Sequence, residues 1–119
     1  MLLVDFWGTS CGPCIAELPR VQEFALKFQK AGGVFLGLHD CNGEPAALTE
    51  FVRKRGLSYQ FAIDKPAADG LSFGATFESF GIRGIPNCAV IDKKGKVVFL
   101  GSFEAAAQRA TALLEMETE

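Results

Sequence analysis

The sequence lacks an excess of charge of either sign and lacks a long hydrophobic run. Twelve lysines and arginines against 14 aspartates and glutamates give a formal net charge of −2. The basic residues are scattered, so nothing indicates a surface for nucleic acid or for an anionic membrane. No apolar run approaches the length of a membrane span, so we expect no direct membrane insertion by this chain. Met1 leads into the first apolar run without a cleavage site, so no signal peptide is expected.

Composition does supply a hydrophobic core. The chain has 119 residues, of which 49% are apolar, and 11 are phenylalanine. This length is typical of a single domain. Because no linker or internal repeat interrupts the sequence, residues 1–119 are predicted to form one domain.

Apolar runs alternate with helical patterns along the chain. Pro45 suits the first position of a helix, where no N–H is needed, and Gly56 ends the same pattern. Residues 93–95, Lys-Lys-Gly, join two short apolar runs and indicate a hairpin. The predicted strands are 2–7, 34–39, 59–64, 87–92 and 96–101, and the predicted helices are 13–31, 45–55, 75–80 and 104–117, with a loop at 65–73. This order predicts an α/β fold, in which helices flank a central mixed sheet of parallel strands plus an antiparallel C-terminal hairpin.

A Cys-x-x-Cys motif lies where the first strand gives way to the first helix. Two thiols three positions apart at a helix start can close a disulfide with little strain. Cys11 faces the unpaired N–H groups and the positive end of the helix dipole, which favour its reactive thiolate form. The placement predicts thiol–disulfide exchange, with Cys11 as the attacking thiol and Cys14 as the resolving one.

A zinc site is the main structural alternative for these cysteines. His39, Cys41 and Cys88 are nominal further ligands. Structural zinc usually draws on two closely spaced pairs of ligands, and His39 and Cys41 fit the common spacings poorly. No metal is therefore expected. No cofactor is expected either, since Met116 and the phenylalanines fit a core or a surface better than a cofactor site.

Three sequence blocks in a fixed order carry a resemblance to a known family. They are Val4-Asp5-Phe6-Trp7 leading to Cys11-Gly12-Pro13-Cys14, then Glu17-Leu18-Pro19, and then Gly81-Ile82-Arg83-Gly84-Ile85-Pro86 followed by residues 90–98. The chain resembles the thioredoxin-like superfamily and, within it, the TlpA/ResA-type thiol–disulfide oxidoreductases. The resemblance covers residues 2–114 and implies a thioredoxin-like fold with oxidoreductase activity. Pro19 stands where the family kinks its active-site helix, and a kink that only improves packing is the alternative.

The resemblance also implies a substrate-binding surface. In this family the bond before the proline of the third block, Ile85–Pro86 here, is cis, and its loop lies against the disulfide. The backbone of Ile85 is then placed to pair with an extended substrate segment. An ordinary trans-proline turn is the alternative. The residues expected to contact substrate are Trp7, Gly12, Pro13, Gly84, Ile85 and Pro86.

Asp5 is the most informative acidic residue because it interrupts an apolar central strand. A carboxylate is costly to bury in its charged form, so its pKa is expected to be raised. In thioredoxins an aspartate at this position handles the proton of the second cysteine, whereas TlpA-type proteins more often carry asparagine. We therefore expect a catalytic role for Asp5. A strand-end aspartate facing water is the alternative.

Other positions depart from the family pattern. Ser10 replaces an aromatic residue that commonly precedes the first cysteine, Asn87 stands where threonine is usual, and the customary N-terminal strand or hairpin is missing. These departures leave substrate preference and redox potential open. His39 is expected to be a solvated residue on a strand-end loop, with a role as a base as the alternative. Cys41 and Cys88 are expected to be small buried hydrophobes.

Two other function classes remain open at this point. A peroxiredoxin-like peroxidase shares the fold but needs a proline and a threonine in a set pattern before a lone peroxidatic cysteine, and residues 7–11 have no such proline. A non-catalytic binding module has no need of both Cys11 and Cys14. For the oxidoreductase, the expected partners are proteins carrying disulfides or thiols and an upstream redox partner, and a monomer is expected. The resemblance implies an extracytoplasmic or periplasmic domain of a tethered protein, and the residues leave a cytoplasmic location open.

Overall fold

The computed structural model describes residues 1–70 and 72–118. Leu71, within the predicted loop at 65–73, and Glu119 lie outside the described residues. The strands are β1 (Leu2–Trp7), β2 (Val34–His39), β3 (Gln60–Ile63), β4 (Asn87–Ile91) and β5 (Val97–Gly101), and the helices are α1 (Gly12–Lys30), α2 (Pro45–Arg55), α3 (Ala75–Ser79) and α4 (Phe103–Thr118).

The strands form one five-stranded sheet in the order β3-β2-β1-β4-β5. Strands β1, β2 and β3 run parallel, whereas β4 is antiparallel to both β1 and β5. The predicted mixed sheet with an antiparallel C-terminal hairpin is therefore confirmed. The observed and predicted bounds differ by no more than one residue at every element end. Several of these ends are marked in the sequence by Pro or Gly.

Strand β1 occupies the centre of the sheet with a neighbour on each side. Asp5 lies opposite Gly37 of β2 and opposite Cys88 of β4. Apolar residues cover both faces of β1, since Leu3 and Phe6 are fully buried in two different hydrophobic clusters. Because both faces are buried, the sequence of this strand is mostly apolar and does not alternate between apolar and polar residues.

Helix α1 begins at the cysteine motif and packs along the sheet. Cys11 is its N-cap, and Pro13 occupies the first turn, where a missing N–H costs nothing. The helix buries a stripe with helical spacing made of Cys14, Leu18, Val21, Ala25 and Phe28. Pro19 lies inside the helix as the sequence indicates. The stripe fixes which face of the helix, and so which cysteine, points inward.

Within residues 1–70 and 72–118, no helix is both long enough and apolar enough to cross a membrane.

Gly37 provides a test of the packing beside Asp5. A Cβ atom built on Gly37 would lie 2.8 Å from Cε1 of Phe61 and 3.1 Å from Cε2 of Tyr59. Overpacking of this kind in a core typically costs about 1–3 kcal/mol. We expect Gly37→Ala to lower the free energy of unfolding by that amount in a urea titration. Gly84→Ala is the matched control, because a Cβ there meets no atom within 4 Å. Equal stability of the two variants would contradict the packing described for Gly37.

Candidate active site

Cys11 and Cys14 form a disulfide across the first turn of α1, with their Cα atoms 5.2 Å apart. The Cys14 backbone N–H donates a hydrogen bond to Sγ of Cys11 at 3.2 Å. Cys11 is half-buried, whereas Cys14 is only 2% exposed. Cys11 is thus the more accessible of the two sulfurs, and the Cys14 N–H that its Sγ accepts from as the helix cap also favours negative charge on that Sγ.

Trp7 lies beneath the disulfide and not on the surface. Its side chain is 1% exposed and packs against the buried Cys14, and a contact between Trp7 and substrate stays a prediction. The cause of this burial is the position of Trp7 at the end of the central strand, where α1 and α2 cover it. The indole Nε1 is buried and has no hydrogen-bond partner within the described part of the chain. Trp7 forms a cluster with Cys14, Leu18 and Leu48, and Cys11 and Ile85 pack against this cluster.

The loop before β4 reaches the same place, because the start of β4 lies beside the end of β1 in their antiparallel pairing. The Ile85–Pro86 peptide bond is cis, as the family resemblance predicts. Ile85 is half-buried and lies beside the segment that leads to Cys11, because a Cβ built on Gly8 would be 3.5 Å from its Cδ1 atom. Gly84 is exposed, as are Gly12 and Pro13 at the helix start. The structure thus brings the predicted substrate-contact residues other than Trp7 to the start of α1 and to the neighbouring loop before β4.

Asp5 is buried in the sheet, which excludes the solvent-facing alternative. It is 2% exposed, and its Oδ1 accepts a hydrogen bond from Sγ of Cys88 at 3.6 Å. Burial, reinforced by the negative charge of Glu17 and opposed by the Cys88 hydrogen bond, raises the pKa of Asp5 from 3.8 to about 7. A carboxyl group that titrates near neutral pH can both accept and release a proton there.

Glu17 lies close to this site, although in the sequence it is notable only as part of the second family block. It lies one helical turn after Cys14 and is half-buried. Its Oε1 is buried without a hydrogen-bond partner among residues the structure describes. Burial raises the pKa of Glu17, an effect that Arg20 opposes and Glu104 reinforces. The three-residue spacing places Glu17 on the same helix face as Cys14, and only the packing of that face against the sheet brings Glu17 near Asp5.

The two remaining cysteines occupy different environments. Cys88 is fully buried, and its pKa is raised by burial and by the nearby Asp5 charge, so its thiol stays protonated and is a poor nucleophile. The expectation of a small buried side chain is confirmed for Cys88. Cys41 is only partly buried, with its Sγ 4.0 Å from the Ser72 carbonyl oxygen. In the described ranges, no group of three or more His, Cys, Asp or Glu residues is arranged to hold a metal ion.

The expectation that His39 is solvated is wrong. His39 is 3% exposed and closes the end of β2 beside Trp7, with ring centroids 5.2 Å apart. Its Nε2 accepts a hydrogen bond from the Thr9 backbone N–H at 3.0 Å. The residue is the last in its strand, where an apolar pattern ends, and the sequence alone does not show that the loop before Cys11 folds over it.

Comparison with known proteins identifies a family and relatives that this chain is similar to. The family model named Redoxin matches residues 1–112. The thiol-disulfide oxidoreductase ResA of Bacillus thuringiensis strain Al Hakam is 35% identical over 97 residues, which cover 82% of this chain and 51% of that protein. ResA of Halalkalibacterium halodurans is 26% identical over 115 residues, covering 97% of this chain and 61% of that protein. The chain therefore spans roughly half to three-fifths of the length of these curated relatives.

Solved structures show the same fold at lower sequence identity. A thiol-disulfide isomerase from Corynebacterium glutamicum aligns with a TM-score of 0.80 and 19% identity, covering 95% of this chain and 79% of its own. StoA from Bacillus subtilis aligns with a TM-score of 0.69 and 21% identity, covering 96% of this chain and 79% of its own. These likenesses establish the thioredoxin-like fold. The family match over residues 1–112 and the 35% identity to ResA over 82% of this chain show that the chain belongs to the redoxin family, as a thioredoxin-like member of the TlpA/ResA type.

Proposed function

We propose that this chain is a thiol–disulfide oxidoreductase that exchanges its Cys11–Cys14 dithiol or disulfide with protein disulfides or thiols. The observation that carries the proposal is the asymmetric disulfide at the start of α1. Cys11 is half-buried and its Sγ caps the helix by accepting a hydrogen bond from the Cys14 backbone N–H, while Cys14 is buried. The names of the ResA relatives agree with this activity. The chain spans only part of those proteins, so their activity is carried over to this chain as a proposal.

When both cysteines begin in the reduced, dithiol form, the exchange proceeds in two steps. The Cys11 thiolate attacks one sulfur of a substrate disulfide, forms a mixed disulfide and releases the other substrate sulfur as a thiolate. Cys14 then loses its proton and attacks Sγ of Cys11, so that the Cys11–Cys14 disulfide forms and the substrate leaves with both thiols reduced. Two electrons pass from the protein to the substrate. An upstream redox partner must return them before the next cycle, and the reverse sequence oxidises a dithiol substrate.

Asp5 accepts the proton of Cys14 in this proposal. A buried thiol loses its proton only when a base is available, and the carboxyl group with a pKa near 7 is such a base at neutral pH. Glu17, half-buried on the same helix as Cys14, is the acidic neighbour that raises the proton affinity of Asp5.

The substrate lies in this proposal over the start of α1 and the loop of residues 84–86, which flank Cys11. Gly12 and Pro13 border the sulfur on one side, and residues 84–86 border it on the other. The Ile85 backbone pairs with an extended substrate segment, as in strand addition to a sheet edge. We further propose that residues 1–119 act as one monomeric domain, that its substrates are proteins, and that it works outside the cytoplasm, as the family resemblance implies.

An activity assay separates this proposal from a peroxidase and from a binding module. We expect the protein with dithiothreitol to reduce insulin disulfides and to consume hydrogen peroxide no faster than dithiothreitol alone. Cys11→Ser is expected to abolish insulin reduction. Cys41→Ser is the matched control and is expected to leave the rate unchanged, and Cys88→Ser to retain most of it, because a serine hydroxyl also donates a hydrogen bond to Asp5. Peroxide turnover without insulin reduction would favour a peroxidase, and neither activity would favour a binding module.

Covalent trapping tests the roles of the two active-site cysteines. Cys14→Ser removes the resolving thiol, so the mixed disulfide between Cys11 and a substrate is expected to accumulate. Non-reducing gels after incubation with a disulfide-containing protein detect this species. Cys11→Ser is the matched variant and is expected to trap little, because Cys14 is only 2% exposed. Equal trapping by both variants would show that the two roles are assigned wrongly.

Asp5→Asn tests the proposed proton acceptor. Without the carboxyl group, the resolution step is expected to slow on the order of 100-fold, the typical contribution of a general base. The first attack by Cys11 is expected to stay nearly unchanged. Stopped-flow measurement of both steps between pH 6 and 9 provides the check. An unchanged resolution rate would remove Asp5 from the mechanism.

The same substitution has a defined effect on stability. The pKa of Asp5 is raised from 3.8 to about 7 on folding, so between these pH values the folded protein holds a proton that the unfolded chain has released. The stability that the folded protein gains by holding this proton is fully present below about pH 4 and is lost as the pH rises through 7. Asparagine carries no such titration. Denaturant titrations are therefore expected to show a stability gain for Asp5→Asn that grows from pH 4 to 7 and then levels off.

A further inference from the structure

The single histidine is buried next to the active-site loop, and the proposed exchange steps do not use it. His39 is 3% exposed at the end of β2. The chain folds tightly over the ring on its other side, since a Cβ built on Gly43 would lie 2.7 Å from Nδ1. A polar ring held this closely is stabilised only when both of its nitrogens have partners.

Both ring nitrogens do have partners, and the partners determine the tautomer. The Thr9 backbone N–H lies 3.0 Å from Nε2, and a backbone N–H can only donate, so Nε2 must carry the lone pair. The neutral ring then has its hydrogen on Nδ1, which donates to the Asp40 carbonyl oxygen at 2.9 Å. The Asp40 carboxylate, with Oδ1 3.4 Å from Nδ1, favours a hydrogen at the same position.

These contacts tie the loop before Cys11 to the end of β2. Thr9 is exposed and lies two residues before the proposed nucleophile, whose own N–H donates to the Gly8 carbonyl oxygen at 3.1 Å. Asp40 adds two constraints: its N–H donates to the Trp7 carbonyl oxygen at 3.0 Å, and its carboxylate leaves no room for a Cβ at Gly8. The hydrogen bond from the Thr9 N–H to Nε2 of His39 therefore holds the middle of this loop.

We propose that His39 is a positioning residue for thiol–disulfide exchange, which holds the Gly8–Thr9–Ser10 loop through Nε2 and so fixes Cys11 for its attack on a substrate disulfide. The inference rests on the proposed function. A nucleophile held in one geometry reacts faster than one that must first be ordered. His39 acts through Thr9 and touches neither substrate nor sulfur.

A spectroscopic measurement tests the hydrogen bond directly in the wild-type protein. An N–H···N hydrogen bond transmits a scalar coupling between its two nitrogens, so uniformly ¹⁵N-labelled protein at neutral pH is expected to show coupling between the Thr9 amide nitrogen and Nε2 of His39. The His39 nitrogen shifts are expected to report a bare Nε2 and a protonated Nδ1. A protonated Nε2 in the neutral ring, or the absence of the coupling, would overturn the inference without any variant being made.

A kinetic series tests the consequence for Cys11. In a Cys14→Ser/Cys41→Ser background, the reaction with Ellman's reagent reports the attack by Cys11. We expect His39→Leu to slow this attack about fivefold, the factor that corresponds to one ordinary hydrogen bond. His39→Gln is expected to restore much of the rate, since its amide oxygen can accept from the Thr9 N–H.

Phe35→Leu is the matched control, because it weakens the core at the opposite end of the same strand without touching the loop. It is expected to leave the attack rate unchanged. An attack rate in His39→Leu equal to that of Phe35→Leu, or equal rates in the Leu and Gln variants, would overturn the positioning role. If the parent protein attacked no disulfide at all, the proposed function would fail first and the positioning role with it. A normal parent rate with an unaffected His39→Leu rate would overturn this inference alone.

Discussion

The site depends on the pairing of β1 along both of its edges. Parallel pairing with β2 and antiparallel pairing with β4 place this strand in the middle of the sheet, with apolar side chains covering both faces. Any polar side chain on β1 is then removed from water. The strand also ends beneath α1, so the loop that follows it delivers Cys11 to a helix N-terminus. Burial of Asp5 and capping by Cys11 are two consequences of one arrangement.

The energetic cost of that arrangement is concentrated in Asp5. A buried carboxylate without a full set of donors is destabilising, and the weak hydrogen bond from the Cys88 thiol offsets only part of the penalty. Burial and the Glu17 charge together raise the pKa of Asp5 into the range where proton transfer is efficient at neutral pH. In the proposed mechanism, the burial that lowers stability therefore also supplies the base for the buried Cys14.

The loops around the disulfide are held by contacts that span long stretches of chain. Thr9 and His39 are 30 residues apart, and Asp5 and Cys88 are 83 residues apart. Ile85 and Cys11 pack against the same cluster under the active site, although they lie far apart in the sequence. In the proposed mechanism the helix start provides the reactive sulfur, and contacts from the neighbouring strand ends hold the loop that precedes it.

Local patterns in the sequence were enough for the secondary structure and the cysteine motif. Apolar spacing, the prolines and the glycines determined where strands and helices begin and end, because these signals act within a few residues. The cis bond before Pro86 was predictable only through the family resemblance, since no local pattern distinguishes it from a trans turn. Tertiary structure alone decided that His39 is buried, that Trp7 lies under the disulfide, and that Cys88 and Glu17 act on Asp5. Each of these depends on which strand lies beside which, and sheet order is a property of the whole chain that residue spacing does not encode.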